Sequence, residues 1–181
     1  TSSTDKWVSL KTYVEEMKAD QKEIYFATGD DLSALVNSPR LERLKEKGYD
    51  VLMMTDPVDE WVAQSLPEFE GKKLKNAMKG ELDLDAESAD EEKKGEPEEL
   101  DVLGKTFKSV LEGKIGDVRA TDRLTDSPVC LVAGQFDMGA NLERILKAQG
   151  AAGEIMGMGS KRTLEVNVKH PLIVNLAKIV E

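Results

Sequence analysis

The stretch from Ser38 to Leu66 constrains the fold more than any other, because each change of backbone direction in it is marked by a residue with a physical reason to be there. Ser38 is a good helix cap, and Pro39 suits the first helical position, where its missing N–H costs nothing. Leu41 and Leu44 supply the apolar face, and Gly48 allows the left-handed exit that ends the helix. Tyr49–Met54 follows as a short apolar run, the pattern of a strand covered on both faces. Asp56-Pro57 then starts a second helix by the same capping logic, with Asp59 favoured in its first turn by the helix dipole. Upstream, the β-favouring run Ile24–Thr28 stops at Gly29, so the two strands are expected to pair in parallel through a right-handed crossover. Val8–Leu10 reads as extended, Thr12–Met17 as a short helix, and Phe69–Leu74 as a turn leading to an edge strand.

A second feature divides the chain. From Glu81 to Glu99 there are ten acidic residues and two lysines, which is −8 of the chain's net charge of −10. Such a segment buries too little apolar area to offset its ordering entropy and reads as a solvated linker. The expected organisation is therefore a small α/β unit over 1–80, an acidic linker over 81–99 and a second unit over 100–181. In the second unit Leu100, Leu103, Phe107, Val110 and Leu111 recur at helical spacing. Val118–Ala120 and Val129–Ala133 read as strands, Leu164, Val166 and Val168 alternate as a strand, and His170-Pro171 opens a last helix. The fold class is α/β or mixed α+β: two small units of two or three layers each.

The composition excludes several functions. With the acidity confined to the linker, no basic patch suits a nucleic-acid backbone. One cysteine, Cys130, allows no internal disulfide and fits a reducing compartment; no run approaches a membrane span and the N-terminus lacks a signal-peptide pattern, so a cytoplasmic protein is expected. The single histidine, His170, fits a helix cap, and Cys130 lies within an apolar run as a small hydrophobe. One cysteine and one histidine cannot close a zinc site. Gly29 begins no dinucleotide fingerprint, and Gly150, Gly153, Gly157 and Gly159 lack the lysine spacing of a phosphate-binding loop. A small flavodoxin-like enzyme, using the loop at Gly29 and Asp30, stays open as a rival.

Two apolar stripes remain, each of which would ordinarily pack into its own core, with a binding surface as the alternative. Met138, Leu142, Ile145 and Leu146 form one helical stripe, and Met156 and Met158 lie in a glycine-rich loop after it; methionine adapts to varied apolar partners. Trp61 shares a stripe with Val58, Val62 and Ser65.

These motifs also carry a resemblance. "SPRLERLKEKGYDVLMMTDPVDEW" with "LPEFEGKKL", "VSLKTYVEEMKADQKEIYFATG", "DRLTDSPVCLV", "MGANLERILKAQG" and "LEVNVKHPLI" follow one another in an order similar to that of the 90-kDa heat-shock chaperones, over nearly the whole chain. The resemblance implies the end of the middle domain plus a C-terminal domain truncated before its dimerisation helices. It implies an ATP-dependent chaperone, homodimeric in full, whose ATP and magnesium site lies elsewhere, leaving no cofactor, metal or catalytic residue here. It also implies that non-native client protein is bound by Trp61 on one helix and by Met138, Leu142, Ile145 and Leu146 on another, with Met156 and Met158 nearby. The rival within this family is a structural module that couples the neighbouring domains without touching client.

Overall fold

The computed structural model describes residues 7–80, 82, 84, 98–134, 137–150 and 161–180. Among them are seven α-helices and two β-sheets, a mixed α/β fold in two units.

The first unit is built on a four-stranded sheet in the order β2-β1-β4-β3, with β1 at Ile24–Thr28, β2 at Val51–Met54, β3 at Glu68–Phe69 and β4 at Lys72–Asn76. β1 pairs in parallel with β2, Tyr25 opposite Val51, as the crossover reading expects. It also pairs in parallel with β4, Ile24 opposite Leu74. The strand after the Phe69 turn is therefore interior, and the edge is the two-residue β3, which folds back antiparallel onto β4. The hairpin closes through Glu70 and Gly71 at φ of 49° and 74°, the left-handed pair that matches the twist of the flanking strands.

β1 is buried along its whole length, as a strand covered on both faces must be. On one face Tyr25 and Ala27 join Leu35 of α2 (Leu32–Val36), Leu44 of α3 (Glu42–Glu46) and Val51 in a single core. Tyr13 ties α1 (Leu10–Glu16) to this core: its hydroxyl donates to the Asp50 carbonyl at 2.5 Å and accepts from Gln21 Nε2 at 2.8 Å. α1 starts at Leu10, where an extended residue was expected, because the Ser9 hydroxyl accepts from the Thr12 N–H and caps the helix. Two expected caps are absent. Ser38 makes no capping bond, and Pro39–Leu41 forms a 3-10 turn ahead of α3. At α4 (Asp59–Ser65) the polarity is reversed, with the Asp59 carboxylate accepting from the Asp56 N–H at 3.0 Å. Gly48 has the expected left-handed exit, φ 66°.

The second unit is a three-stranded sheet in the order β5-β7-β6: β5 at Asp117–Ala120, β6 at Val129–Val132 and β7 at Thr163–Val166. β7 is central, parallel to β5 and antiparallel to β6. One face is apolar: Val118, Leu164 and Val166 pack with Leu100 and Leu103 of α5 (Glu98–Val110) and Ile173 of α7 (Pro171–Val180). The opposite face carries Arg119, Glu165 and Cys130 side by side in register. α5 starts inside the acidic stretch, at Glu98, and Leu82 and Leu84 pack against the first core.

Candidate binding surface at the junction of the two units

α4 presents opposite characters on its two sides. Val58, just before its first residue, and Trp61 and Val62 within it are 59%, 42% and 42% exposed, whereas Glu60 is only 4% exposed. The buried carboxylate has a reason to be there: its Oε1 accepts from Asn141 Nδ2 at 2.9 Å, and Asn141 lies in the first turn of α6 (Ala140–Ala148). One side-chain bond thus joins the tryptophan helix of the first unit to the amphipathic helix of the second.

The stripe on α6 is not uniform. Met138, ahead of the helix, and Leu142 and Leu146 are half-buried, while Ile145 is 7% exposed yet belongs to neither core. Ile145 therefore contributes to holding α6 in place rather than to its accessible surface. Met156 and Met158 lie outside the described residues.

Beyond the Glu60–Asn141 bond the units enclose a cleft of about 540 Å³, between the Gly29–Asp31 end of β1 and the N-terminal end of α6. Its lining includes Arg40, Lys79, Arg144 and Arg162 along with Asp30 and Asp31. Asp30 pairs with Arg144 at 3.2 Å, and the Asp31 carboxylate caps α2 by accepting from the Ala34 N–H at 2.6 Å. The enzyme rival looks to this strand end, but Asp30 and Asp31 are thus engaged in structural contacts.

A seam of exchanged charges holds the units together. Glu42, at the start of α3, reaches into the turn of the second unit, where its Oε2 accepts from the backbone N–H groups of Thr125, Asp126 and Ser127 at 2.8, 2.9 and 3.1 Å. The Ser127 hydroxyl donates to the other oxygen. Burial works to raise the Glu42 carboxyl, but the bonds from Ser127, Asp126 and Thr125 overcome it and hold the group below its ordinary value. Arg123 travels the other way. It is 5% exposed, donates to the carbonyls of Ala77 and Gly80, and lies 3.5 Å from the Glu165 carboxylate. Glu165, 1% exposed, also takes Arg119 at 2.6 Å. Arg40 donates to the Leu131 carbonyl, and the Gly80 N–H to the Ala133 carbonyl at 3.0 Å.

None of these seam residues stands out in the sequence. Glu165 sits between Leu164 and Val166, where strand alternation assigns it to the non-core face and hence to solvent; only the second unit's docking makes that face interior.

The other titratable candidates carry little chemistry. Burial, with Glu165 beside it, pushes the Cys130 thiol up to about 12, the behaviour of an inert, partly buried thiol. His170 Nδ1 accepts from the Leu172 N–H at 3.1 Å, a cap at the start of α7. Among the described residues no group of three His, Cys, Asp or Glu side chains could hold a metal ion, and no helix is long and apolar enough to cross a membrane.

With this geometry in hand, comparison with known proteins assigns the family. The family model for Hsp90 protein matches residues 1–181. The chain is 42% identical over 181 residues to "Chaperone protein HtpG" of Bdellovibrio bacteriovorus, covering 98% of this chain and 29% of that protein. It is 50% identical over 175 residues to the protein of the same name from Chromobacterium violaceum, covering 94% of this chain and 27% of that protein. For that of Myxococcus xanthus the values are 46% over 174 residues, 94% and 26%. The chain thus spans under a third of the length of the curated relatives it matches. A family-model match along the whole of this chain and this level of identity to several chaperones lead to one conclusion: the chain belongs to the Hsp90 chaperone family.

Proposed function

We propose that this chain binds non-native client protein through the surface formed by α4 and α6, as one part of a longer ATP-dependent chaperone. The observation that carries the reading is the Glu60–Asn141 bond, which brings the exposed Val58, Trp61 and Val62 of one unit to the helix bearing Met138, Leu142 and Leu146 in the other. Exposed apolar side chains grouped on folded helices suit a partner that offers apolar segments without a fixed shape. In this reading Ile145 acts from beneath, by fixing α6, and Met156 and Met158 are proposed as further client contacts. ATP and magnesium belong to other parts of the longer protein, and no catalytic step is assigned to this chain. Its partners are client, the neighbouring chaperone domains and a second protomer, in the cytoplasm.

The test uses Trp61 as sole reporter in a Trp7→Phe variant, since Trp7 is 95% exposed and would mask it. Titration with a permanently unfolded protein is expected to give a saturable change in Trp61 emission, weakened by Leu142→Glu with the far-UV spectrum unchanged. No change in a correctly folded chain overturns the reading.

A second reading, mechanical coupling between neighbouring domains, is supported by the seam of Glu42 and Arg123, which would transmit a rotation of one unit to the other. It predicts that Glu42→Ala changes the relative motion of the units while Trp61→Ala changes nothing.

A further inference from the structure

The cleft adjoining the α4–α6 surface has a charge that the apolar reading does not use. Four basic side chains line it, Arg40, Lys79, Arg144 and Arg162, against the two carboxylates of Asp30 and Asp31. Both carboxylates are engaged within the chain, Asp30 by Arg144 and Asp31 by the N–H of Ala34. Arg162 is shared at 3.2 Å with Glu143, which stands on α6 beside the cleft. Among the described residues Arg40 has only the neutral Leu131 carbonyl as hydrogen-bond acceptor. Burial depresses the ionisation of Arg40, the nearby Arg162 and Arg123 guanidinium groups oppose it further, and Cys130 and Glu165 act in the other direction. An anion entering the cleft would relieve both burdens, replacing lost hydration and offsetting the like charges.

The cleft and the apolar surface are continuous. The Lys79 side chain runs so close to Gly139 that a Cβ there would stand 2.9 Å from its Cε, and Gly139 is the residue between Met138 and α6. Asn141 also lines the cleft, and its side chain reaches Glu60, the residue before Trp61 on α4. A chain lying across Met138 therefore meets the Lys79 end of the basic lining at the adjoining Gly139.

Resting on the client-binding reading, we infer that this surface selects client segments in which an apolar stretch is flanked by acidic residues, the apolar part against α4 and α6 and the carboxylates in the cleft with Arg40, Lys79 and Arg162. The order of contacts fixes the class of ligand: an extended, non-native segment with Asp or Glu adjoining its apolar residues. Guanidinium forks suit carboxylates because two parallel N–H donors match two oxygens.

The test uses fluorescently labelled synthetic peptides sharing one apolar core and flanked on both sides by glutamate, glutamine or lysine. Binding is read twice on the Trp7→Phe chain, by peptide anisotropy and by Trp61 emission. The glutamate-flanked peptide is expected to bind roughly three- to tenfold tighter than the glutamine-flanked one in low salt, an advantage that shrinks as salt screens it. Lys79→Gln and Arg162→Gln should each reduce that advantage and leave affinity for the glutamine-flanked peptide unchanged. Equal affinity for the glutamate and glutamine peptides, with Trp61 responding to both, overturns the charge selection and leaves the client surface standing. Binding of the glutamate peptide that depends on Lys79 but leaves Trp61 silent overturns the shared surface and keeps the cleft. Absence of binding in both readouts overturns both.

Discussion

Replacing Glu42 by alanine removes one carboxylate from the seam and strands its four donors, the N–H groups of Thr125, Asp126 and Ser127 and the Ser127 hydroxyl. A hydrogen bond to a charged acceptor is worth about 1.5 to 3 kcal/mol net, and an unsatisfied buried donor costs about 1 to 3 kcal/mol. These figures do not add, because the turn is partly accessible and water can take some of the donors. The expected loss is about 3 kcal/mol, the worth of one to two full bonds, and for a chain of this size that lowers the melting temperature by about 6 to 12 °C. Glu42→Gln keeps an acceptor oxygen and loses the charge, so about half that loss is expected.

The pH dependence supplies an independent check. The folded-state pKa of Glu42 lies below its ordinary value of 4.5, so its contribution is fully present above about pH 4.5 and is lost as pH falls through the lower, folded value. The stability gap between the parent chain and Glu42→Gln should therefore be constant at neutral pH and close as the solution is acidified below about pH 4.5. Urea unfolding, followed by far-UV circular dichroism from pH 7 to pH 3, measures both quantities. A Glu42→Gln variant as stable as the parent at pH 7, or a gap that widens on acidification, would refute the claim that the carboxylate holds the seam.

Two further outcomes follow from the same seam. Arg123→Met takes one of the two guanidinium partners from Glu165, leaving Arg119, and removes the donors to Ala77 and Gly80, so a loss of about 3 to 5 kcal/mol is expected in urea unfolding. Arg119→Met should cost clearly less, because the Arg119 side chain is 29% exposed against 3% for Arg123, and the reverse ranking would count against the seam. Cys130, with its thiol pushed up to about 12 by burial and by Glu165, should resist a thiol-specific disulfide reagent at pH 8 and react fully once unfolded in guanidinium. Rapid labelling of the folded chain at pH 8 would show that the thiol is more open than its position on β6 implies.

Much of the first unit was legible because its signals are local. Ile24–Thr28 and Val51–Met54 are short apolar runs bounded by Gly29 and Gly48, and they pair in parallel as the crossover rule requires. What failed is finer. Ser38 and Asp56 belong to the residue types that cap helices, yet a cap needs the following N–H groups within reach of the side chain. A 3-10 turn at Pro39 and the reversed Asp59-to-Asp56 bond place those N–H groups elsewhere. The strand after the Phe69 turn reads as an edge from its local sequence; its interior position depends on β1 having a second side to fill, a fact set some fifty residues earlier in the chain.

The binding surface divides along the same line. Trp61 and the α6 stripe are visible by period as apolar stripes, but exposed and core apolar residues look alike in a sequence, and it is the family resemblance that implies client binding for them. Their relative placement was not available, because it rests on Glu60, Glu42, Arg123 and Glu165, four charged residues whose types predict solvent exposure. A charged residue held away from water needs a partner from elsewhere in the chain, and each of these four meets one across the seam or across the sheet behind it. The partners are separated by 42 to 85 positions, too far for any periodicity to register. The same dependence gives the seam its use. Apolar packing between the units would tolerate sliding, whereas Glu42 in its ring of N–H donors and Arg123 between two carbonyls accept one register. That register sets α4 beside α6, so the surface proposed to take client is fixed by charges that never touch it.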